Sequence, residues 1–393
     1  MNKRIKPVLF IFYVMLSFAW NPTNGSAQVN SGSNGSDGAF TNANQVTTVI
    51  DMHDHPNGIY QYTSVYIENG VTVKFIPNAN NTPVVWLVQG DVVINGAVDV
   101  SGQNGSGNGI GGLGGPGGWA GGNGGSNPSS GQGPGGGITI SNSASIGGTF
   151  GAIADTGHPG QIYGNSFLLP LVGGSGAGGC NRGYGGGGGG GAILIAASGS
   201  IQINGNLIAN GGVGIPGGGA GSADGSGGGI RLVASNFQGS GNISASGDVC
   251  CSDGRGGLGR VRIDTFQFNF GGQITGVFTQ GYQPIIIPIS GQGVQLSIAS
   301  VAGATVSATP NGQLVTPDTI ISSQQSNPIP VVVNCSNLPL NTLITVTVKP
   351  ANGASVSAVG YNTTGTLASS TATVSLNLPR GGGIIYATAT NGN

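Results

Sequence analysis

The chain has 393 residues, 81 of them glycine and 20 proline, and only 6% are charged against roughly 25% in an ordinary soluble domain. A formal net charge of −1 excludes an Arg/Lys-driven nucleic-acid binder and a charge-laced coiled coil, and glycines without an every-third-residue register exclude collagen. Hydrophobic residues still make up 37%, with a mean hydropathy of +0.13, which is too apolar for a disordered polar chain.

In chain order, Lys3, Arg4 and Lys6 precede an apolar run from Val8 to Trp20, and small residues follow at Gly25-Ser26-Ala27. That order predicts a secretory signal peptide over 1–27, because the run is too short to cross a hydrocarbon core of about 30 Å as a helix. No later stretch reaches the roughly 18 uninterrupted apolar residues of a spanning helix. The expected protein is secreted, extracellular or at the cell surface, with no integral membrane segment after signal removal. Export permits disulfides. Cys180, Cys250, Cys251 and Cys335 allow several pairings; Cys180 with one of the adjacent pair is preferred and Cys335 is expected to stay unpaired.

Residues 28–83 read as an N-terminal segment and cap. Alternating apolar character at Tyr60-Gln61-Tyr62 and Val71-Thr72-Val73 suits a cover for the open end of a repeat array.

A repeat occupies 84–283. The run from Val84 to Gly102 aligns without a gap to that from Ile193 to Gly211, with Ile203-Asn204-Gly205 repeating Ile94-Asn95-Gly96. A third copy starts at Ile230-Arg231-Leu232 and maps onto a fourth at Val261-Arg262-Ile263, while a weaker copy is read at Ile138-Thr139-Ile140 with Ile146. Apolar residues alternate within three short runs per copy, which is the period of a strand with one buried face. Such copies bury that face only by stacking, so Ile193, Ile230 and Val261 are expected in one inward column and Ile195, Leu232 and Ile263 in another. The fold class expected is all-β: a right-handed parallel β-helix, a solenoid with long glycine-rich loops, followed by a small β-sandwich. More than half of the glycines fall in four tracts, 102–137, 173–191, 211–229 and 247–259, at recurring positions after the third strand. Two readings of these tracts stay open: loose insertions, or extended polyproline-II-like segments packed against each other where no Cβ intervenes.

Beyond the glycine tracts, 284–393 alternates in short runs such as Leu343 to Val348 and Ala372 to Leu378, with turns at Asn352-Gly353 and Pro379-Arg380-Gly381. This spacing predicts an immunoglobulin-like β-sandwich.

Several runs carry a resemblance: Asn81-Thr82-Pro83 into Trp86 and Ile94-Asn95-Gly96, Gly114-Gly115-Pro116-Gly117-Gly118-Trp119, Leu168-Leu169-Pro170-Leu171 with the glycines after it, and the heptaglycine before Ala192-Ile193-Leu194-Ile195. Over roughly 50–280 the chain resembles glycine-rich exported bacterial proteins, largely uncharacterised. The resemblance implies a pectin-lyase-like parallel β-helix without assured activity, and the tail is similar to immunoglobulin-like modules appended to such proteins.

The candidate chemistry is sparse. Glycoside hydrolysis needs two facing carboxylates, and neither Asp99 nor Asp264 has an evident partner. Lyase chemistry needs a basic residue beside an acidic calcium cluster; Arg231 and Arg262 share an outward row near Asp248 and Asp253, but solvation of the outer face accounts for them more simply. His53 and His55, within Asp51-Met52-His53-Asp54-His55, would share a face on a strand and could hold a divalent ion, though a solvated loop before Pro56-Asn57-Gly58 is the simpler reading. Trp119, Tyr163 and Tyr184 stand among glycines, as platforms for sugar rings or as anchors of the loops. No catalytic residue, metal or cofactor is predicted. Ligand contacts are assigned to Trp119, Tyr163, Tyr184, Arg231 and Arg262. The function expected is a non-enzymatic surface or extracellular-matrix protein acting in adhesion or cell-envelope structure. Its partners would be polysaccharides or cell-surface glycans, or further copies of itself, and not nucleic acid. A polysaccharide lyase or a carbohydrate-binding protein on the same scaffold is the alternative.

Overall fold

The computed structural model describes residues 29–42, 46–139, 145–153, 160–215, 221–247, 254–282, 284, 295–306, 310, 317–351 and 354–390. The signal peptide expected over 1–27 lies outside these residues, as do Cys250, Cys251, Asp248 and Asp253. The described chain is nearly all β, with one 3-10 turn at Met52–Asp54.

The first part is a parallel body of three-strand units. β1 (Ala39–Thr41) and β2 (Thr47–Asp51) open it; β3 (Ile59–Tyr62), β4 (Ser64–Ile67) and β5 (Thr72–Ile76) form the next unit. β6 (Val84–Val88), β7 (Val92–Ile94) and β8 (Ala97–Asp99) follow, then β9 (Ala192–Ala197), β10 (Ser200–Ile203) and β11 (Asn206–Ile208). In the later units one long strand replaces the first two: β12 (Gly229–Gly239) precedes β13 (Asn242–Ser244), and β14 (Arg260–Phe270) precedes β15 (Gln273–Thr275) and β16 (Val277–Gly281). Every pairing among these strands is parallel, and strands in equivalent positions of successive units neighbour each other, as in the six-stranded order β15-β13-β11-β8-β5-β2.

The register follows the sequence repeat. Val84 pairs with Ile193, Ile193 with Ile230 and Ile230 with Val261, and all four are fully buried. The neighbouring column Trp86–Ile195–Leu232–Ile263 is likewise buried, and reaches back to Tyr60. Two more columns, Val65–Val92–Ile201–Phe237 and Val73–Val98–Leu207–Ile243, complete one continuous apolar core. Polar rungs outside it repeat the register: Asn204 donates to Asn95 at 2.9 Å and Asn242 to Asn206 at 3.2 Å.

The structure differs from the sequence reading in three places. The ladders extend back through β1–β5, so the stretch read as a cap supplies strands of the same parallel body. Tyr60, Tyr62 and Val65 alternate as the later copies do, but no Ile-Asn-Gly motif marks them. The weak copy near Ile138 is not a three-strand unit among the described residues: Thr139 and Ser145 meet in an isolated antiparallel bridge, and the flanking glycines bond to the tracts instead. Cys180, preferred for a bridge, is a buried free thiol, and Cys335 is free as well.

The second part is a seven-stranded antiparallel sheet system with its own core around Val331, Val333, Ile344, Val346 and Val374. Its strands are β17 (Gln295–Val301), β18 (Ala304–Thr305), β19 (Ile329–Ser336), β20 (Leu343–Pro350), β21 (Val356–Gly365), β22 (Ser370–Leu376) and β23 (Gly383–Thr390), in the order β18-β17-β19-β22-β21-β20-β23.

Candidate functional site

The glycine tracts are packed. Segment 185–191, the heptaglycine, sits among segments from the other tracts, and its amide bonds rotate with a period of three. Gly185, Gly188 and Gly191 donate to the carbonyls of Ser106, Gln103 and Val100 at 2.8–3.0 Å. Gly186, Gly189 and Ala192 donate to Gly122, Trp119 and Pro116, while Gly187 and Gly190 donate to Ala223 and Ser226. Its carbonyls accept in the same rotation: Gly186 and Gly189 from Gly112 and Gly115, Gly187 and Gly190 from Ala177 and Gly174, and Gly188 from Gly212. Three residues per turn is the geometry of polyproline II, whose isolated chain has no internal hydrogen bonds; here neighbouring segments bond every amide of the heptaglycine and its carbonyls from Gly186 to Gly191. The segment must be glycine because a Cβ at Gly185, Gly187, Gly188 or Gly189 would run into the carbonyl oxygens of Ile110, Gly212, Leu113 and Gly174. Left-handed glycines at 109, 117, 125 and 133 turn the chain back and forth in the first tract, with φ of +75° to +134°.

The lattice is pinned to the parallel body. Asn81 accepts from the Gly117 amide at 3.1 Å and donates to the Gly118 carbonyl at 2.7 Å. Trp119, half-buried, meets Tyr163 edge-on at 5.8 Å between ring centroids. The Tyr163 hydroxyl donates to the Gly173 carbonyl at 2.7 Å and accepts from Ser175 Oγ at 3.0 Å, and burial pushes this phenol well above its ordinary range. Tyr184 is half-buried, with its backbone bridged to Cys180. The aromatic candidates thus lie inside the lattice or at its seams.

Arg231 and Arg262 are paired across β12 and β14, the shared row the repeat alignment indicates. They do not solvate an outer face. Arg231 is 4% exposed, and Asp264, equally buried, holds both guanidiniums: Arg262 Nε donates to it at 2.8 Å, and Arg231 lies 3.6 Å away. Arg262 also lies over the Phe167 ring at 5.0 Å. Burial pulls the Arg231 guanidinium below its ordinary value, with Asp264 opposing the shift. The sequence reading missed this pairing although its signal was present, because residues 262 and 264 lie two apart on one strand and so share a face.

His53 and His55 diverge. His53 Nδ1 is 2.6 Å from Asp51, His55 Nε2 is 3.4 Å from Asp37, and the segment is a 3-10 turn rather than a strand. The Asp51 carboxyl is held below its ordinary value, chiefly by the His53 backbone amide. Among the described residues no group of three or more His, Cys, Asp or Glu could hold a metal ion, and no helix is long and apolar enough to cross a membrane. The antiparallel part touches the lattice through polar contacts: Lys349 Nζ donates to the Gly136 carbonyl at 2.7 Å and the Tyr386 hydroxyl to Gln161 at 2.9 Å. No protein family, curated protein or solved structure matches this chain.

Proposed function

We propose that this is a secreted, non-enzymatic surface or matrix protein, in which a right-handed parallel β-helix of pectin-lyase-like shape and an immunoglobulin-like sandwich support a rigid glycine lattice that acts in adhesion. The observation that carries the reading is the lattice itself. Its cohesion comes from main-chain hydrogen bonds between extended segments, a construction that fixes the position of exposed turns while offering few ionisable side chains for chemistry. The ion pairing of Arg231 and Arg262 with Asp264 favours the same reading, since a guanidinium held by a buried carboxylate is poorly placed to abstract a substrate proton.

The test is incubation of the protein with acidic and neutral polysaccharides, with and without calcium. Adsorption without chain shortening is expected. Calcium-dependent unsaturated products that disappear in a folded Arg262→Ala variant would identify a lyase and overturn the proposal.

A further inference from the structure

Segment 100–106 leaves the parallel body at Val100, and at about 3.1 Å per residue a polyproline-II chain of this length carries its end roughly 19 Å outward. Three turns from two different tracts meet there. Gly124 donates to the Gly109 carbonyl at 2.8 Å, Gly125 to Cys180 at 3.0 Å, and Gly185 to Ser106 at 3.0 Å, which ties the turns 106–109, 124–127 and 180–184 into one tip. Asn108, Ser126, Asn127, Asn181 and Arg182 are exposed on it.

Two asparagines of this tip, Asn127 and Asn181, differ from nearly all the others. Apart from Asn69, at the exposed turn before β5, every other described asparagine between 29 and 282 has its side chain in a hydrogen bond within the protein, Asn108 included through Ser106. Among the described residues, the Asn127 and Asn181 side chains make none. Beside the tip, Ile110 and Leu113 are 61% and 57% exposed, and their three-residue spacing puts them on one face of a polyproline-II segment. Amides that both donate and accept, next to an aliphatic strip, match the two faces of a sugar, its hydroxyl rim and its C–H surface.

We propose that this tip is a binding surface for a neutral glycan, with Asn127 and Asn181 bonding its hydroxyls and Ile110 and Leu113 lying against its ring faces. The proposal rests on the adhesive reading above and locates where adhesion occurs. Because the lattice fixes the turns before contact, little conformational entropy is lost on binding.

The experiment is affinity electrophoresis of the full chain through gels containing dextran, galactomannan or mixed-linkage β-glucan, with polygalacturonate as the acidic comparison. Wild type is expected to be retarded by at least one neutral polysaccharide at both low and high salt. Asn127→Ala with Asn181→Ala is expected to weaken that binding about tenfold or more with an unchanged melting temperature, and Leu113→Ser to weaken it independently. Equal retardation of wild type and the double variant would overturn the tip as the site and leave the adhesive reading standing. Binding to polygalacturonate alone, abolished by salt, would overturn it too. Degradation of the glycan by wild type would remove the adhesive reading and this proposal together.

Discussion

At the scale of single residues, two positions show how context decides. Gly188 is surrounded: its missing Cβ would meet the Leu113 carbonyl, and its amide donates to Gln103. Gly107, at the exposed tip, has nothing within 4 Å of an added Cβ. Gly188→Ala is therefore expected to destabilise by about 2 kcal/mol or more, because a backbone oxygen cannot move without breaking lattice bonds. Gly107→Ala should leave the melting temperature unchanged; thermal unfolding of the two variants checks both. Tyr60 offers a second case. Its hydroxyl is buried without a hydrogen-bond partner among the described residues, and burial pushes the phenol up to about 12. Removing an unsatisfied polar group is neutral or stabilising, so Tyr60→Phe is expected to match or exceed wild-type stability in denaturant titration.

At the scale of elements, the heptaglycine behaves as an interior strand of a lattice although it belongs to no β-sheet. Amides 187–190 are bonded to the carbonyls of Ala223, Gln103, Trp119 and Ser226, and the segment is buried throughout. Their hydrogen exchange is expected to be as slow as that of β9, which follows directly, whereas the exposed tip near Gly107 and Asn108 exchanges fast. Exchange at 187–190 as fast as in an unfolded peptide would mean that the lattice does not form in solution. The strand elements were the more legible part of the sequence. The gapless match of Val84–Gly102 to Ile193–Gly211 is realised as paired strands because alternation with period two dictates which side chains face inward. The lattice was legible only as a question, since glycine carries no side chain whose pattern could report the neighbours it will meet.

For the whole molecule, buried phenols link stability to pH. Burial raises Tyr60 to about 12 and pushes Tyr62 and Tyr163 further still, from an ordinary value of 10.0. A group whose folded pKa is raised contributes stability that is fully present below the unfolded value and lost as the pH climbs toward the folded one. Phenolate formation in the unfolded chain therefore favours unfolding from about pH 10 upward, and the β-structure signal should fall together with a rise in absorbance at 295 nm. The Tyr60→Phe variant should shift that transition to higher pH. The antiparallel part is coupled to the lattice through Lys349 and Tyr386, and burial lowers the lysine's pKa while raising the tyrosine's.

The sequence by itself determined an all-β chain, the unit repeat and its inward columns, because hydrophobic alternation and spacing are local properties that any folded form must satisfy. It placed the arginines on one row. Only the tertiary structure decided that the buried Asp264 carboxylate is shared between Arg262 of its own strand and Arg231 of the neighbouring one, that the glycine tracts hold together through a backbone lattice, and that three turns distant in sequence form one tip. The physical reason is common to all three. Each depends on main-chain or charge contacts between segments far apart in sequence, and such contacts leave no period in the sequence to be read.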